Sequence, residues 1–179
     1  MLRVKKMTRK LHIGGEHAHP DWEIFNIQKG PNVDHIGDAK DLSRFEDETF
    51  DELYASHVVE HFDYNGQLLG VLKEWYRVLK PEGKLYISVP DMDVLCQLFR
   101  ECKGWGPKAS FEIMRVMFGG HIDQYDYHYV GFDYNILAAF LNQAKFQKLK
   151  RVKSFAIFED ASRIFVGNIP ISISVIALK

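Results

Sequence analysis

Four short stretches carry residues whose types and spacing can bind or react. Gly14-Gly15 closes the apolar run Leu11 to Ile13. Two adjacent glycines permit positive φ and let backbone amides come close to a ligand, although the same pair also makes a tight turn. Asp38-Ala39 follows Val33 to Ile36. Its carboxylate can accept from an exocyclic amine while the backbone N–H beside it donates; an aspartate there also caps helices. Ser56-His57 ends the run from Glu52, with Glu60 and His61 one turn further on. A lone histidine in that position serves structure as readily as chemistry.

The fourth stretch runs from Gly119 to Tyr129 and holds His121, Asp123, Tyr125, Asp126, Tyr127 and His128. Rings interleaved with hydrogen-bonding groups suit the wall of a pocket for a small polar molecule. A solvated loop with aromatic anchors is the second reading. Two histidines and two aspartates within eight residues can also hold a divalent cation, which ranks third, and no metal ligand is assigned. His121, Tyr125 and Tyr127 are the candidate substrate contacts. His128 is the candidate general base, since an unperturbed imidazole titrates near neutrality.

Composition narrows the setting. A hydrophobic fraction of 46% and a charged fraction of 26% over 179 residues describe an ordinary globular chain, expected to form one domain over 1–179. A formal net charge of −1 gives no electrostatic reason to expect nucleic acid. The two cysteines, Cys96 and Cys102, match no zinc spacing and read as core filler in a reducing compartment. Basic residues at Arg3, Lys5, Lys6, Arg9 and Lys10 are followed by no apolar stretch, and Ile171 to Leu178 is too short to span a bilayer. A soluble, cytoplasmic protein without membrane partners is therefore expected.

The elements that must position these residues alternate. Leu11 to Ile13, Trp22 to Ile27, Val33 to Ile36 and Glu52 to Ser56 read as strands. Leu68, Leu72, Trp75, Tyr76 and Leu79 recur at helical spacing, with Asp63 or Asn65 as cap and Pro81-Glu82-Gly83 as stop. Leu85 to Val89 is the next strand, and Leu95, Leu98, Phe99 and Cys102 form an amphipathic helix. Helices are predicted over Phe111 to Phe118 and Tyr134 to Ala144, then strands over Lys148 to Phe155 and Ile169 to Leu178. The alternation Ile171-Ser172-Ile173-Ser174 predicts a strand buried on one face. Strand, helix, strand, helix implies βαβ units and a mostly parallel sheet, here with a C-terminal antiparallel hairpin. Gly14 to Asp21 is too short for a crossover helix, so the first two strands need a trimmed link if they are parallel neighbours.

Taken in order, Phe50-Asp51-Glu52-Leu53-Tyr54-Ala55-Ser56-His57-Val58-Val59-Glu60-His61-Phe62 and Lys73-Glu74-Trp75-Tyr76-Arg77-Val78-Leu79-Lys80-Pro81-Glu82-Gly83-Lys84-Leu85 resemble the type 11 group of class I S-adenosylmethionine (SAM)-dependent methyltransferases. Asp38-Ala39-Lys40-Asp41-Leu42 looks like that family's adenine loop, and the similarity runs from about Leu11 to Asp93. The resemblance implies an α/β Rossmann-like fold with an acceptor-side insertion over about 103–133. It implies SAM along the carboxyl edge of the sheet, with Gly14 and Gly15 at its methionine part, Asp38 and Ala39 at adenine, Ser56 and His57 on the pocket floor and Gln28 at the ribose. The first motif departs from the family at His12 and Glu16, and Gln28 stands where an acidic residue is usual. The expected activity is methylation of a small-molecule acceptor, a sugar or glycan precursor by analogy. Its rival is a non-catalytic binding or scaffold protein of the same fold, and a metal-dependent hydrolase built on the His121–His128 loop is a third reading.

Overall fold

The computed structural model describes residues 8–179; Arg3, Lys5 and Lys6 of the basic N-terminal stretch lie outside the described residues. Strands β1 (Lys10–Ile13), β2 (Glu23–Asn26), β3 (His35–Ile36) and β4 (Phe50–Ser56) precede helix α1 (Gln67–Val78). Strand β5 (Leu79–Pro90), helices α2 (Met92–Glu101), α3 (Pro107–Phe118) and α4 (Tyr134–Gln143), and strand β6 (Gln147–Val152) follow. The chain closes with β7 (Phe165–Val166), β8 (Ile169–Pro170) and β9 (Ser172–Leu178). Seven strands form one sheet in the order β3-β2-β1-β4-β5-β9-β6, and β7-β8 is a separate small antiparallel ribbon. Strands β1 to β5 pair in parallel, while β9 runs antiparallel to both β5 and β6.

Alternation along the strands sorts side chains onto two faces. Leu11, Ile13, Leu53, Ala55, Leu85 and Ile87 enter the main core beneath Leu68, Leu72 and Trp75 of α1 and Leu137 and Leu141 of α4. On the opposite face Tyr54 packs with Trp22, Ile24 and Phe158, joined by Tyr86 and Phe155. His12 meets Tyr54 and Phe158 at ring-centroid distances of 4.8 and 4.0 Å. The link between β1 and β2 is indeed a loop without a helix, although the strands are parallel neighbours. The segment after β6 brings Phe155 and Phe158 over these rings, so its side chains cover them. Asp160 then accepts from Tyr54 Oη at 2.6 Å, Ser56 Oγ at 3.2 Å and Ser162 Oγ at 2.6 Å.

Several local expectations need correction. Helix α1 begins after Gly66 with no side-chain cap, because the Asp63 carboxylate accepts from Asn65 N instead. The helix ends at Val78, ahead of Pro81, and Leu79 already belongs to β5. Strand β9 is buried on both faces, since it lies inside the sheet: Ser172 and Ser174 are as enclosed as Ile173. Each buried hydroxyl has a partner, with Ser172 Oγ 2.9 Å from His57 Nε2 and Ser174 Oγ 3.4 Å from Ser88 Oγ. Cys102 fills the α2–α3 core as expected, but Cys96 is exposed. Among the described residues no helix is long and apolar enough to cross a membrane.

Candidate functional site

A cavity of about 560 Å³ opens at the carboxyl ends of β1, β2 and β4, the edge where open parallel sheets receive ligands. Gly14, Gln28, Asp38, Ala39, His57 and Tyr125 line it, so residues up to 111 positions apart in sequence share one wall. Gly14 has φ +80° and its amide donates to Phe25 O at 2.8 Å. A Cβ there would stand 2.6 Å from Val58 Cγ2, so glycine is needed both for the turn and for the space. Gly15 is outside the lining; a Cβ on it would strike the His12 ring at 2.5 Å, so its smallness serves packing.

The Asp38 loop is held from behind and from within. Trp75 Nε1 donates to Ala39 O at 2.8 Å, and Gly37 N donates to Asn26 O at 3.0 Å. Asp38 Oδ1 accepts from Lys40 N at 3.1 Å while Oδ2 meets Lys40 Nζ at 2.9 Å. No helix starts at this loop, so Asp38 shapes a turn rather than capping a helix. Gln28 Nε2 donates to Asp123 Oδ2 at 2.9 Å, tying the end of β2 to the loop after α3. That loop supplies Ile122, Asp123, Gln124, Tyr125, Asp126 and Tyr129 to the same cavity. Its sharp turn is possible because Gly119, at φ +90°, carries no Cβ to collide with the Asp126 carbonyl.

Other expected site residues stand elsewhere. Ser56 faces Asp160 rather than the cavity. His121 stacks on Tyr127 at 4.0 Å and its Nε2 contacts Phe118 O at 2.8 Å, so neither ring enters the lining. His128 lies behind the wall, its ring 4.8 Å from that of His61, which does line the cavity. The metal set weighed from the loop does not converge. Asp123 is engaged with Gln28 and Tyr125 N, Asp126 Oδ2 accepts from Ile122 N, and His121 turns to Phe118.

Beneath this wall the short 3₁₀ turn Val59–His61 buries Glu60 completely. Burial pushes the Glu60 carboxyl up to about 8 and the His57 imidazole down to about 3. Burial thus disfavours charge on both groups across their 3.5 Å approach. Burial, helped by His61, likewise lowers His128 to about 4. The sequence put Glu60 one turn past Ser56-His57; no spacing rule distinguishes it from a solvated glutamate on a turn. Asp160 carried no sequence signal at all.

Residues 23–87 match the family model described as a methyltransferase domain. An uncharacterized methyltransferase of Schizosaccharomyces pombe is 39% identical over 102 residues, a match spanning 52% of this chain and 38% of that protein. The chain thus corresponds to less than two fifths of that relative's length. Among solved structures, a SAM-dependent methyltransferase from Archaeoglobus fulgidus superposes with a TM-score of 0.60 at 18% identity, covering 98% of this chain and 87% of that one. One from Thermotoga maritima gives a TM-score of 0.60 at 18% identity over 98% and 84%.

Proposed function

We propose that this chain is a class I SAM-dependent methyltransferase that binds SAM in the 560 Å³ cavity and methylates a small polar acceptor, a reading supported by its methyltransferase-domain match over residues 23–87 and by its fold. The observation that carries the reading is the convergence of Gly14, Gln28, Asp38, Ala39 and His57 on one cavity at the carboxyl edge of the sheet. The lining fits the cofactor's chemistry: a carboxylate for an amine, an amide for hydroxyls, and a glycine without a Cβ beside the methionine end. Bound SAM supplies a methyl group already activated on its sulfonium. Asp38 then holds the adenine amine, Gln28 contacts the ribose, and Gly14 admits the methionine part. Tyr125 and Tyr129 face the acceptor, on the wall of the cavity that the loop 122–129 supplies. Holding the acceptor in line accounts for most of the acceleration. His61, with His128 behind it, takes the acceptor side. A sugar or glycan precursor remains the proposed acceptor by analogy, and a cytoplasmic setting without nucleic acid goes with it.

Asp38→Asn tests this assignment, because it keeps an acceptor oxygen for Lys40 N while removing the charge. SAM affinity is expected to fall by about 1–3 kcal/mol with the fold retained. Titration of wild type and variant with SAM, alongside denaturant unfolding, checks both halves; unchanged affinity removes Asp38 from the cofactor site. The non-catalytic reading has its own support, since Gln28 and Asp38 are already paired with Asp123 and Lys40. It predicts that these pairs persist and that SAM does not compete for them.

A further inference from the structure

We propose that Glu60, His61 and His128 form a binding site for a divalent transition-metal ion of the zinc type. One ligand atom from each of the three lies within 4.8 Å of the others. Ligands around tetrahedral zinc stand roughly 3.4 Å apart, from bonds of about 2.0–2.1 Å to nitrogen and oxygen. The ligand atoms stand somewhat farther apart than that, so a bound ion draws the partly buried His61 and His128 slightly inward.

The strongest observation is the carboxylate. Glu60 is fully buried, and neither Oε1 nor Oε2 accepts a hydrogen bond. A buried polar group left without partners is costly, and a native structure keeps one chiefly where an ion, water or function answers it. The nearest charged-type group, His57 Nδ1 at 3.5 Å, makes no hydrogen bond with it, while the other His57 nitrogen is engaged with Ser172.

His61 is also prepared as a ligand. His61 Nδ1 lies 3.1 Å from Tyr127 O and donates to it, which leaves the lone pair on Nε2. Metal-bound histidines commonly donate their second N–H to a backbone carbonyl, which fixes tautomer and ring direction. The loop carrying His128 is stitched to the same turn by Tyr129 N, which donates to Glu60 O at 2.8 Å, and to the end of α3 by His128 N, which donates to Phe118 O at 3.0 Å. Two imidazoles and one carboxylate suit zinc and its neighbours in the first-row series. His61 also belongs to the cavity wall, so a metal held there stands beside the space for the acceptor and can bind its oxygen. That last role rests on the methyl-transfer reading; the metal site itself does not.

The untagged 179-residue chain, stripped with a chelator and dialysed, is titrated with Co²⁺ and then with Zn²⁺ in the absence of SAM. One ion per chain is expected, with the strong visible absorption of tetrahedral cobalt lost as zinc displaces it. Glu60→Gln and His128→Ala should each weaken zinc binding by roughly 100-fold or more, at or beyond the upper end of what loss of an outer-sphere partner costs. His128→Ala changes a loop side chain, and its circular dichroism verifies the fold if Glu60→Gln is unstable. No stoichiometric uptake by the wild type, or equal affinity in folded His128→Ala, overturns the site. Because the ion is read without SAM, failure here leaves the methyl-transfer reading standing, and the reverse holds.

Discussion

Trp75→Ala is expected to cost about 3–5 kcal/mol of stability, the range for removing a large aromatic side chain from a packed core. Trp75 is fully buried beneath the sheet on α1, and its Nε1 also fixes the Ala39 carbonyl. The residue therefore joins the core to the proposed adenine loop. Trp75→Phe separates the two roles. It retains much of the apolar volume but leaves Ala39 O without its donor, for an expected loss of about 1–3 kcal/mol. SAM affinity should fall in this variant as the loop loosens. Urea unfolding of both variants measures the first effect and titration of Trp75→Phe the second. A loss under about 1 kcal/mol in Trp75→Ala contradicts the packing described for α1.

Acid should destabilise the protein through His12. Burial is the chief cause that lowers its imidazole to about 4; Asp160 opposes the shift, and His17 and His19 add to it. The unfolded chain binds the proton near the ordinary value of about 6.5, so between those values the unfolded state holds more protons. The stability linked to neutral His12 is thus fully present above pH 6.5 and is lost as pH falls toward 4, by about 3 kcal/mol. His12→Phe suits the aromatic surroundings and cannot protonate. The wild type minus variant difference in unfolding free energy should therefore shift by about 3 kcal/mol across that window. Parallel pH profiles for the two proteins would falsify the assignment.

Much of this fold was legible because its signals are local. Leu68, Leu72 and Trp75 marked the buried face of α1, and the run from Leu85 marked the core of β5. The cavity was half legible. Gly14, Gln28, Asp38, Ala39, His57 and Tyr125 share one cavity lining, whereas Gly15, Ser56, His121, Tyr127 and His128 stand outside it. A turn of one residue sends Ser56 to the opposite side from His57, and strand boundaries read from sequence do not resolve that register. The covering of the His12 face by Phe155, Phe158 and Asp160 was invisible, since it joins positions about a hundred residues apart with no periodicity. So was the Gln28–Asp123 bond, a contact between two loops. Nor was the burial of Glu60 legible, since His57 and the loop that reaches Tyr129 both meet its turn.

The central claim is that the cavity at the carboxyl edge of the sheet is a SAM site. Calorimetric titration of the full chain with SAM and with its demethylated product addresses it most directly. Saturable binding of both at one molecule per chain, weakened in Asp38→Asn, is the predicted result. The absence of binding of either ligand at millimolar concentration would contradict the claim and leave the non-catalytic reading in its place.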